Sequence, residues 1–265
     1  MFVHSIDPVI FQVFGLEVRY YGLVYALGFL FVLYMTLWLI RRDDLDVKKD
    51  DVYDLFFWIM LGALIGGRLF HVIFYNPAYF ISHPLEIPAL WLGGISIHGG
   101  VVGAVTAGLI FVRRKGYSFY TFADLIMVTF PLVLVFGRIA NFINAELVGP
   151  VTGLPWCVVF PGYEGCRHPT VLYEAVKNLA IFSWQTFLFT RRNVWNYAAG
   201  TIFWSFVGLY SFLRFFAQFL RPEEKIFFGM DVAQLFSIVL FPLALYMLYR
   251  LNRVTLPKNR RRKKV

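Results

Sequence analysis

The sequence is poor in charged residues and has almost no cysteine. Asp, Glu, Lys and Arg make up 15% of its 265 residues, against roughly 25% in an ordinary soluble domain. Apolar residues make up 59% and aromatic residues 20%, and the mean hydropathy is +0.64. A water-soluble fold has too little interior to bury so much apolar surface, and two cysteines exclude a disulfide scaffold. The composition therefore predicts a polytopic membrane protein.

Common catalytic and nucleotide-binding motifs are also missing. The sequence contains no GxSxG, HExxH or Walker A pattern. Its acidic segment 43–51 lies among lysines, and we interpret that segment as a solvated loop rather than a metal site.

Long apolar stretches dominate what is present. A helix needs about 20 apolar residues to cross a hydrocarbon core of roughly 30 Å. Seven stretches meet this need, at about residues 18–40, 54–75, 94–112, 122–142, 171–190, 198–220 and 230–249. We expect an all-α polytopic membrane protein of seven transmembrane helices, a single integral membrane domain over 1–265, with a small extracytoplasmic head at about 143–170.

The basic residues indicate the orientation of these helices. Most Lys and Arg between the spans lie in the first, third and fifth loops or in the C-terminal tail, which ends in Arg260–Lys264 and Val265. Because cytoplasmic loops are rich in Lys and Arg, we expect the N-terminus outside, with residues 1–17 on the outer surface, and the C-terminus in the cytoplasm. The net charge of +9 therefore favours the lipid bilayer, and not a nucleic acid, as a partner.

Two local patterns concern packing. GxxxG spacing at Gly62/Gly66 and Gly99/Gly103 predicts close contact between helices. Cys157 and Cys166 lie nine residues apart in the outer segment, where a local disulfide could form; the spacing leaves this open.

The apolar spans also contain polar side chains, and these are informative because they are costly to insert into a membrane. Inserting one arginine costs about 2.5–3.5 kcal/mol even on the translocon scale. With the orientation above, all of these side chains fall in the outer half of the membrane. They are Tyr20, Tyr21, Arg68, His98, Arg138, Asn141, Asn144, Glu146, Glu174, Lys177, Arg214, Gln218 and Arg221. Four residues lie at i, i+4, i+8 and i+11 and so share one helical face: Tyr210, Arg214, Gln218 and Arg221. This convergence indicates a common polar interior.

The residue types suggest a ligand. Guanidinium binds phosphate in a forked geometry, and a phospholipid headgroup is the natural anion at that depth. Alternatively, Arg68 and Arg214 pair with backbone carbonyls or with Glu146. We interpret Glu174 and Lys177 as a buried ion pair. His98, beside two glycines, is a candidate general base or ligand contact, with a packing role as the alternative.

The stretch 137–149, GRIANFINAELVG, closely resembles the signature of the bacterial prolipoprotein diacylglyceryl transferases. Further blocks resemble the family in order along the chain, among them RYYGL, GGISIHGG, RHPTVLYE and RFFAQFLR. One departure is Gln218, which stands where the family usually has a glutamate.

The resemblance implies transfer of the diacylglyceryl group of phosphatidylglycerol to the lipobox cysteine of prolipoprotein signal peptides, with release of glycerol phosphate. It implies no cofactor and a location in the bacterial inner membrane, with the site facing the outer leaflet. A lipid transporter or scramblase that binds anionic headgroups is the alternative. The catalytic candidates are His98, Arg138 and Arg214. The candidates for binding phosphatidylglycerol are Arg138, Tyr21, Asn141, Asn144, Glu146, Gly149, Tyr210 and Arg68.

Overall fold

The computed structural model describes residues 2–13, 16–221 and 225–255. The described chain is mostly helical, and each of the seven predicted stretches forms one long helix. The helices are α1 (Tyr20–Arg42), α2 (Lys49–Phe74), α3 (Pro77–Ser82), α4 (Ile97–Lys115), α5 (Phe119–Ile143), α6 (Thr170–Trp195), α7 (Thr201–Ala217) and α8 (Val232–Thr255). The short α3 lies in the connection between α2 and α4.

Five of these helices, α1, α2, α5, α7 and α8, are long and apolar enough to cross a membrane. The other two long helices are more polar or more basic: α6 carries Glu174 and Lys177 within its first turns, and α4 ends in Arg113–Lys115. The prediction of a helical membrane protein is therefore confirmed, and the number of spans and their orientation stay predictions.

Short strands qualify the all-α prediction. Phe2–Val3 (β1) pairs in parallel with Val158–Val159 (β4), and Val9–Val13 (β2) pairs antiparallel with Leu16–Arg19 (β3). The segment expected only to lie on the outer surface therefore forms β-structure. Its residues are rich in β-branched and aromatic side chains, which favour extended backbone.

The chain divides into two compact units. One contains the described residues up to Met35 together with those from Ala123 onward, and the other contains Thr36–Phe122. The prediction of a single integral membrane domain stays a prediction.

In the second unit, α2 packs closely against α4 through glycine. A Cβ on Gly66 would lie 2.8 Å from Cα of Gly103, and a Cβ on Gly62 would lie 2.6 Å from the Gly103 carbonyl oxygen. Side chains at these positions would separate the helices, so the predicted GxxxG packing is confirmed.

The same unit corrects the interpretation of segment 43–51. Lys49 begins α2, and Asp51 is buried, where it accepts hydrogen bonds from Lys115 Nζ (2.6 Å) and the Tyr117 hydroxyl (2.7 Å). The acidic residues thus start a helix, where negative charge is favourable, and only part of the segment is a solvated loop. The hydrogen bond to Asp51 raises the pKa of Tyr117.

In the first unit, the segment between α5 and α6 forms a small packed structure. Val148, Val158 and Phe160 are its buried core, packed against Phe142. Cys157 and Cys166 form a disulfide with their Cα atoms 5.4 Å apart. The pairing that the spacing left open is therefore present.

Candidate active site

Three arginines from separate elements converge on the carboxylate of Glu174. Arg138 lies near the end of α5, Arg214 near the end of α7, and Arg221 just after the 3₁₀ turn Gln218–Leu220 that continues α7. Arg138 Nε is 2.8 Å from Oε2 of Glu174, Arg221 Nη2 is 2.8 Å from Oε1, and Arg214 Nη1 donates to Oε1. We call these four residues the Glu174 cluster.

The Glu174 cluster is buried and carries excess positive charge. The side chain of Glu174 is 2% exposed, that of Arg221 5%, that of Arg214 13% and that of Arg138 20%. The carboxylate of Glu174 cannot neutralise both Arg138 and Arg214, and removing such charges from water is costly unless they are paired. The cluster is therefore suited to bind a further anion, at the partly exposed Arg138 and Arg214.

A hydrogen-bonded chain extends from Arg138 along the end of α5. Arg138 Nη1 donates to Asn141 Oδ1 (3.3 Å), and Asn141 Nδ2 donates to Glu146 Oε2 (2.9 Å). Asn144 Nδ2 donates to the other oxygen of Glu146 (3.1 Å). Glu146 thus orients Arg138 through Asn141.

A left-handed turn places Glu146 in this chain. The amide of Glu146 donates to the Asn141 carbonyl (3.0 Å) and the amide of Ala145 to the Phe142 carbonyl (3.0 Å), which is a Schellman ending of α5. Ala145 (φ 54°) and Leu147 (φ 55°) both adopt the left-handed region, which costs a non-glycine residue roughly 1–2 kcal/mol. The turn is therefore strained at the position that returns Glu146 to the helix end.

Gly149 permits a close approach of the chain to itself. A Cβ on Gly149 would lie 2.6 Å from Cγ2 of Thr170 and 2.8 Å from the His168 carbonyl oxygen. The amide of Gly149 donates to that same carbonyl (3.1 Å). Gly149 thus fixes the segment after α5 against the start of α6, four residues before Glu174.

Lys177 lies one turn beyond Glu174 on α6. In place of the predicted Glu174–Lys177 ion pair, arginines hold the carboxylate, and Lys177 Nζ lies 4.4 Å from the centroid of the Tyr210 ring. Arginine takes the carboxylate because its fork can bind Glu174 and a second acceptor together. Tyr210, a predicted lipid contact, also stacks on Phe206 with centroids 5.6 Å apart.

Tyr21, another predicted lipid contact, lies in the first turn of α1. Its ring centroid is 4.7 Å from that of Tyr25, whose hydroxyl lies 3.2 Å from where a Cβ on Gly137 would stand. Tyr21 is exposed. The tyrosine pair therefore belongs with the end of α5 that bears Arg138.

Arg68, in the second unit, binds the backbone. Its guanidinium donates to the carbonyls of Glu86 (2.7 Å), Ile87 (2.8 Å), Gly93 and Gly94 (3.3 Å). Those carbonyls belong to the segment between α3 and α4, so Arg68 fixes that segment. Its role as a contact of phosphatidylglycerol stays a prediction.

His98 is the second residue of α4 in the same unit. It is partly buried, and its ring centroid lies 6.4 Å from that of Phe70 on α2. Its neighbour Gly99 allows α4 to approach α2 so closely that a Cβ would meet the Gly66 carbonyl. The glycine contact thus fixes where the imidazole emerges from the helix.

Two members of the Glu174 cluster were absent from the predicted site. Glu174 was interpreted as part of a local ion pair, and Arg221 was placed in the common polar interior without a role in the site. One signal was available in the sequence. Glu174 lies near the beginning of an apolar helix, and two other apolar helices carry arginines near their ends. Sequence spacing cannot identify which helices are neighbours, so it did not identify Glu174 as the shared partner.

Comparison with known proteins identifies the family of this chain. A family model described as prolipoprotein diacylglyceryl transferase matches residues 8–250. The chain is 39% identical over 255 residues to a protein of Geobacter sulfurreducens, covering 94% of this chain and 96% of that protein. It is 41% identical over 247 residues to one of Rhodospirillum rubrum, covering 88% of each. Both relatives are named phosphatidylglycerol–prolipoprotein diacylglyceryl transferase. The chain therefore belongs to the prolipoprotein diacylglyceryl transferase family, as its sequence resemblance implied.

Proposed function

We propose that this protein transfers the diacylglyceryl group of phosphatidylglycerol to the lipobox cysteine of prolipoprotein signal peptides. The names of its relatives describe this transfer, and no observation favours a transporter or scramblase. In this proposal the seven long helices span the bacterial inner membrane, with the N-terminus outside and the reaction in the outer leaflet. The distribution of Lys and Arg along the sequence supports that orientation.

The convergence of three arginines on one buried carboxylate carries the proposal. In the reaction, negative charge increases on the departing phosphate, and preorganised cations at that position lower the barrier. Arg138 and Arg214 are the partly exposed arginines of the Glu174 cluster, and they hold the phosphate in this mechanism. Arg221, more deeply buried, stays at Oε1 of Glu174.

The chemical step is a substitution at the glyceryl carbon. The cysteine sulfur forms a bond to that carbon, the carbon–oxygen bond to the phosphate breaks, and its electron pair stays on the phosphate oxygen. A thiol has a pKa near 8.5 and reacts as the thiolate, so a base must accept its proton. His98 is that base in our proposal. The products are a thioether-linked diacylglyceryl peptide and glycerol phosphate, and no metal or cofactor takes part.

Further polar groups orient the donor. Asn141 and Asn144 hold Glu146, and in this proposal they hydrogen-bond the headgroup glycerol. Tyr21 and Tyr210 present amphipathic rings suited to the region between headgroup and acyl chain. These contacts would favour a donor with a neutral, hydrogen-bonding headgroup on an anionic phosphate.

The direct experiment is transfer in vitro, with phosphatidylglycerol labelled in its acyl chains and a synthetic lipobox peptide. We expect the label on the peptide through a thioether. A peptide with serine for cysteine and a donor of phosphatidylcholine are the matched controls, and both should stay unlabelled. Headgroup flipping in vesicles without any transfer by folded protein would contradict the proposal and favour the transporter.

A further inference from the structure

Lys177 is a buried cation without an acceptor. Its Nζ is buried, and none of the described residues offers it a hydrogen-bond acceptor. Its contact is instead the face of Tyr210, with Nζ 4.4 Å from the ring centroid. A buried ammonium is costly without an anion, and a cation–π contact offsets only about 2 kcal/mol of that cost when desolvated. This arrangement suits a lysine whose ammonium has a different partner in a second state of the protein.

The nearest anion on the same helix is Glu174. Residues three apart on a helix have Cβ atoms about 5–6 Å apart, within the reach of a lysine side chain. Lys177 also lines a cavity of about 190 Å³ between α6 and α7, with Thr170, Tyr173, Leu213, Ala217 and Leu220. The cavity gives the side chain room to change rotamer while α6 and α7 stay in place.

Lipid binding creates a need for this partner. In the proposed function Arg138 and Arg214 bind the lipid phosphate, yet both hold Glu174 in this structure. When they turn to the phosphate, Glu174, a residue that is 1% exposed, loses two of its three cations. Arg221 lies at Oε1, so Oε2 loses its cation Arg138, and a buried carboxylate oxygen without a donor opposes that exchange. A second cation within reach of Glu174 would remove the opposition.

We propose that Lys177 is a reserve counter-ion for Glu174. When phosphatidylglycerol binds, Arg138 and Arg214 exchange the carboxylate for the phosphate, and the Lys177 ammonium moves from the Tyr210 ring to Glu174. Lys177 is thus a positioning residue that acts through Glu174 and does not touch the lipid. This inference rests on the proposed function only in that the two arginines bind the lipid phosphate.

Equilibrium binding of a short-chain phosphatidylglycerol in detergent tests the exchange through a double-mutant cycle. The four proteins are the unaltered chain, Lys177→Met, Glu174→Gln and the double variant. With Glu174 present, Lys177→Met should raise the Kd at least tenfold. With Glu174→Gln, which leaves no carboxylate to neutralise, the same substitution should change the Kd less than twofold. Lys177→Arg keeps the charge and should bind within threefold of the unaltered chain.

Three results would overturn the inference. An unchanged Kd for Lys177→Met would show that Glu174 needs no reserve cation. An equal loss with and without Glu174 would show that Lys177 contacts the lipid itself. Binding by Lys177→Arg as weak as by Lys177→Met would show that shape, and not charge, matters. Transfer by the unaltered protein, measured on the same preparation, separates failure of this inference from failure of the proposed function.

Discussion

Arg138 and Arg214 bind the two oxygens of one carboxylate, with Arg138 Nε at Oε2 of Glu174 and Arg214 Nη1 at Oε1. Two guanidinium groups from different helices, α5 and α7, are thereby held side by side. A phosphate that took them over from the carboxylate would meet two donors that are already close together.

The charge balance of the Glu174 cluster predicts how Glu174→Gln behaves. Arg138 and Arg214 would remain together without the carboxylate that joins them, so we expect the free energy of unfolding to fall by about 3–5 kcal/mol, as when a buried ion pair is broken. Phosphatidylglycerol should restore part of that loss, because its phosphate replaces the missing anion. Thermal unfolding in detergent, with and without phosphatidylglycerol, measures both effects.

Glu17→Gln is the matched control. Glu17 pairs with Arg19 in an exposed bridge, with side chains 39% and 55% exposed, and such pairs contribute at most about 1 kcal/mol. A shift in the melting temperature as large for Glu17→Gln as for Glu174→Gln would contradict the role assigned to the cluster.

His98→Asn separates base catalysis from positioning. If His98 accepts the thiol proton, transfer at neutral pH should fall by about 10²–10⁴-fold. Raising the pH above the thiol pKa near 8.5 increases the thiolate fraction of the peptide without a base, so part of the rate should return. A pH series of initial rates measures this. A loss of equal size at every pH would mean that His98 positions a substrate instead.

Gly66→Ala tests the glycine contact between α2 and α4. The added Cβ would lie 2.8 Å from Cα of Gly103, and backbone there cannot move aside without separating the helices. We expect a loss of about 1–3 kcal/mol in the free energy of unfolding. Gly22→Ala, in α1, meets nothing within 4 Å and should be neutral or slightly stabilising. Equal stability of the two variants would show that the contact contributes nothing.

Arg68→Gln tests the arginine that binds the backbone between α3 and α4. Four carbonyls share the Arg68 guanidinium, and an amide cannot reach them together. Local opening should become easier by about 3 kcal/mol, since hydrogen bonds to charged groups contribute about 1.5–3 kcal/mol each. Hydrogen exchange of residues 84–94 should therefore quicken more than tenfold.

Tyr79→Phe is the comparison for that segment, because it removes one exposed hydrogen bond, from the Tyr79 hydroxyl to Glu86 (2.7 Å). That bond raises the pKa of Tyr79, and its removal leaves the hydrogen bonds from Arg68 to the backbone carbonyls in place. Faster exchange in Tyr79→Phe than in Arg68→Gln would contradict the structural role of Arg68.

The sequence predicted the long helices and the placement of arginines near helix ends, because apolar length and charge are properties of single segments. It did not predict that Glu174 joins Arg138, Arg214 and Arg221, because that contact depends on which helices are neighbours. Backbone carbonyls were one predicted alternative for Arg68, but the particular carbonyls were not predicted. They depend on the turn at Gly93 and Gly94, whose positive φ values of 80° and 74° aim two carbonyls at one side chain.

The central claim is that Arg138 and Arg214 act together on one phosphate, and transfer by Arg138→Lys, Arg214→Lys and the double variant tests it most directly. Each single variant should lose at least 100-fold in kcat/KM, about 2.7 kcal/mol, because an ammonium cannot reproduce the fork. The double variant should be little worse, as residues acting as a unit are not additive. Arg19→Lys, at an exposed bridge, should transfer normally. Near-normal transfer by Arg138→Lys, or losses that multiply in the double variant, would contradict the claim.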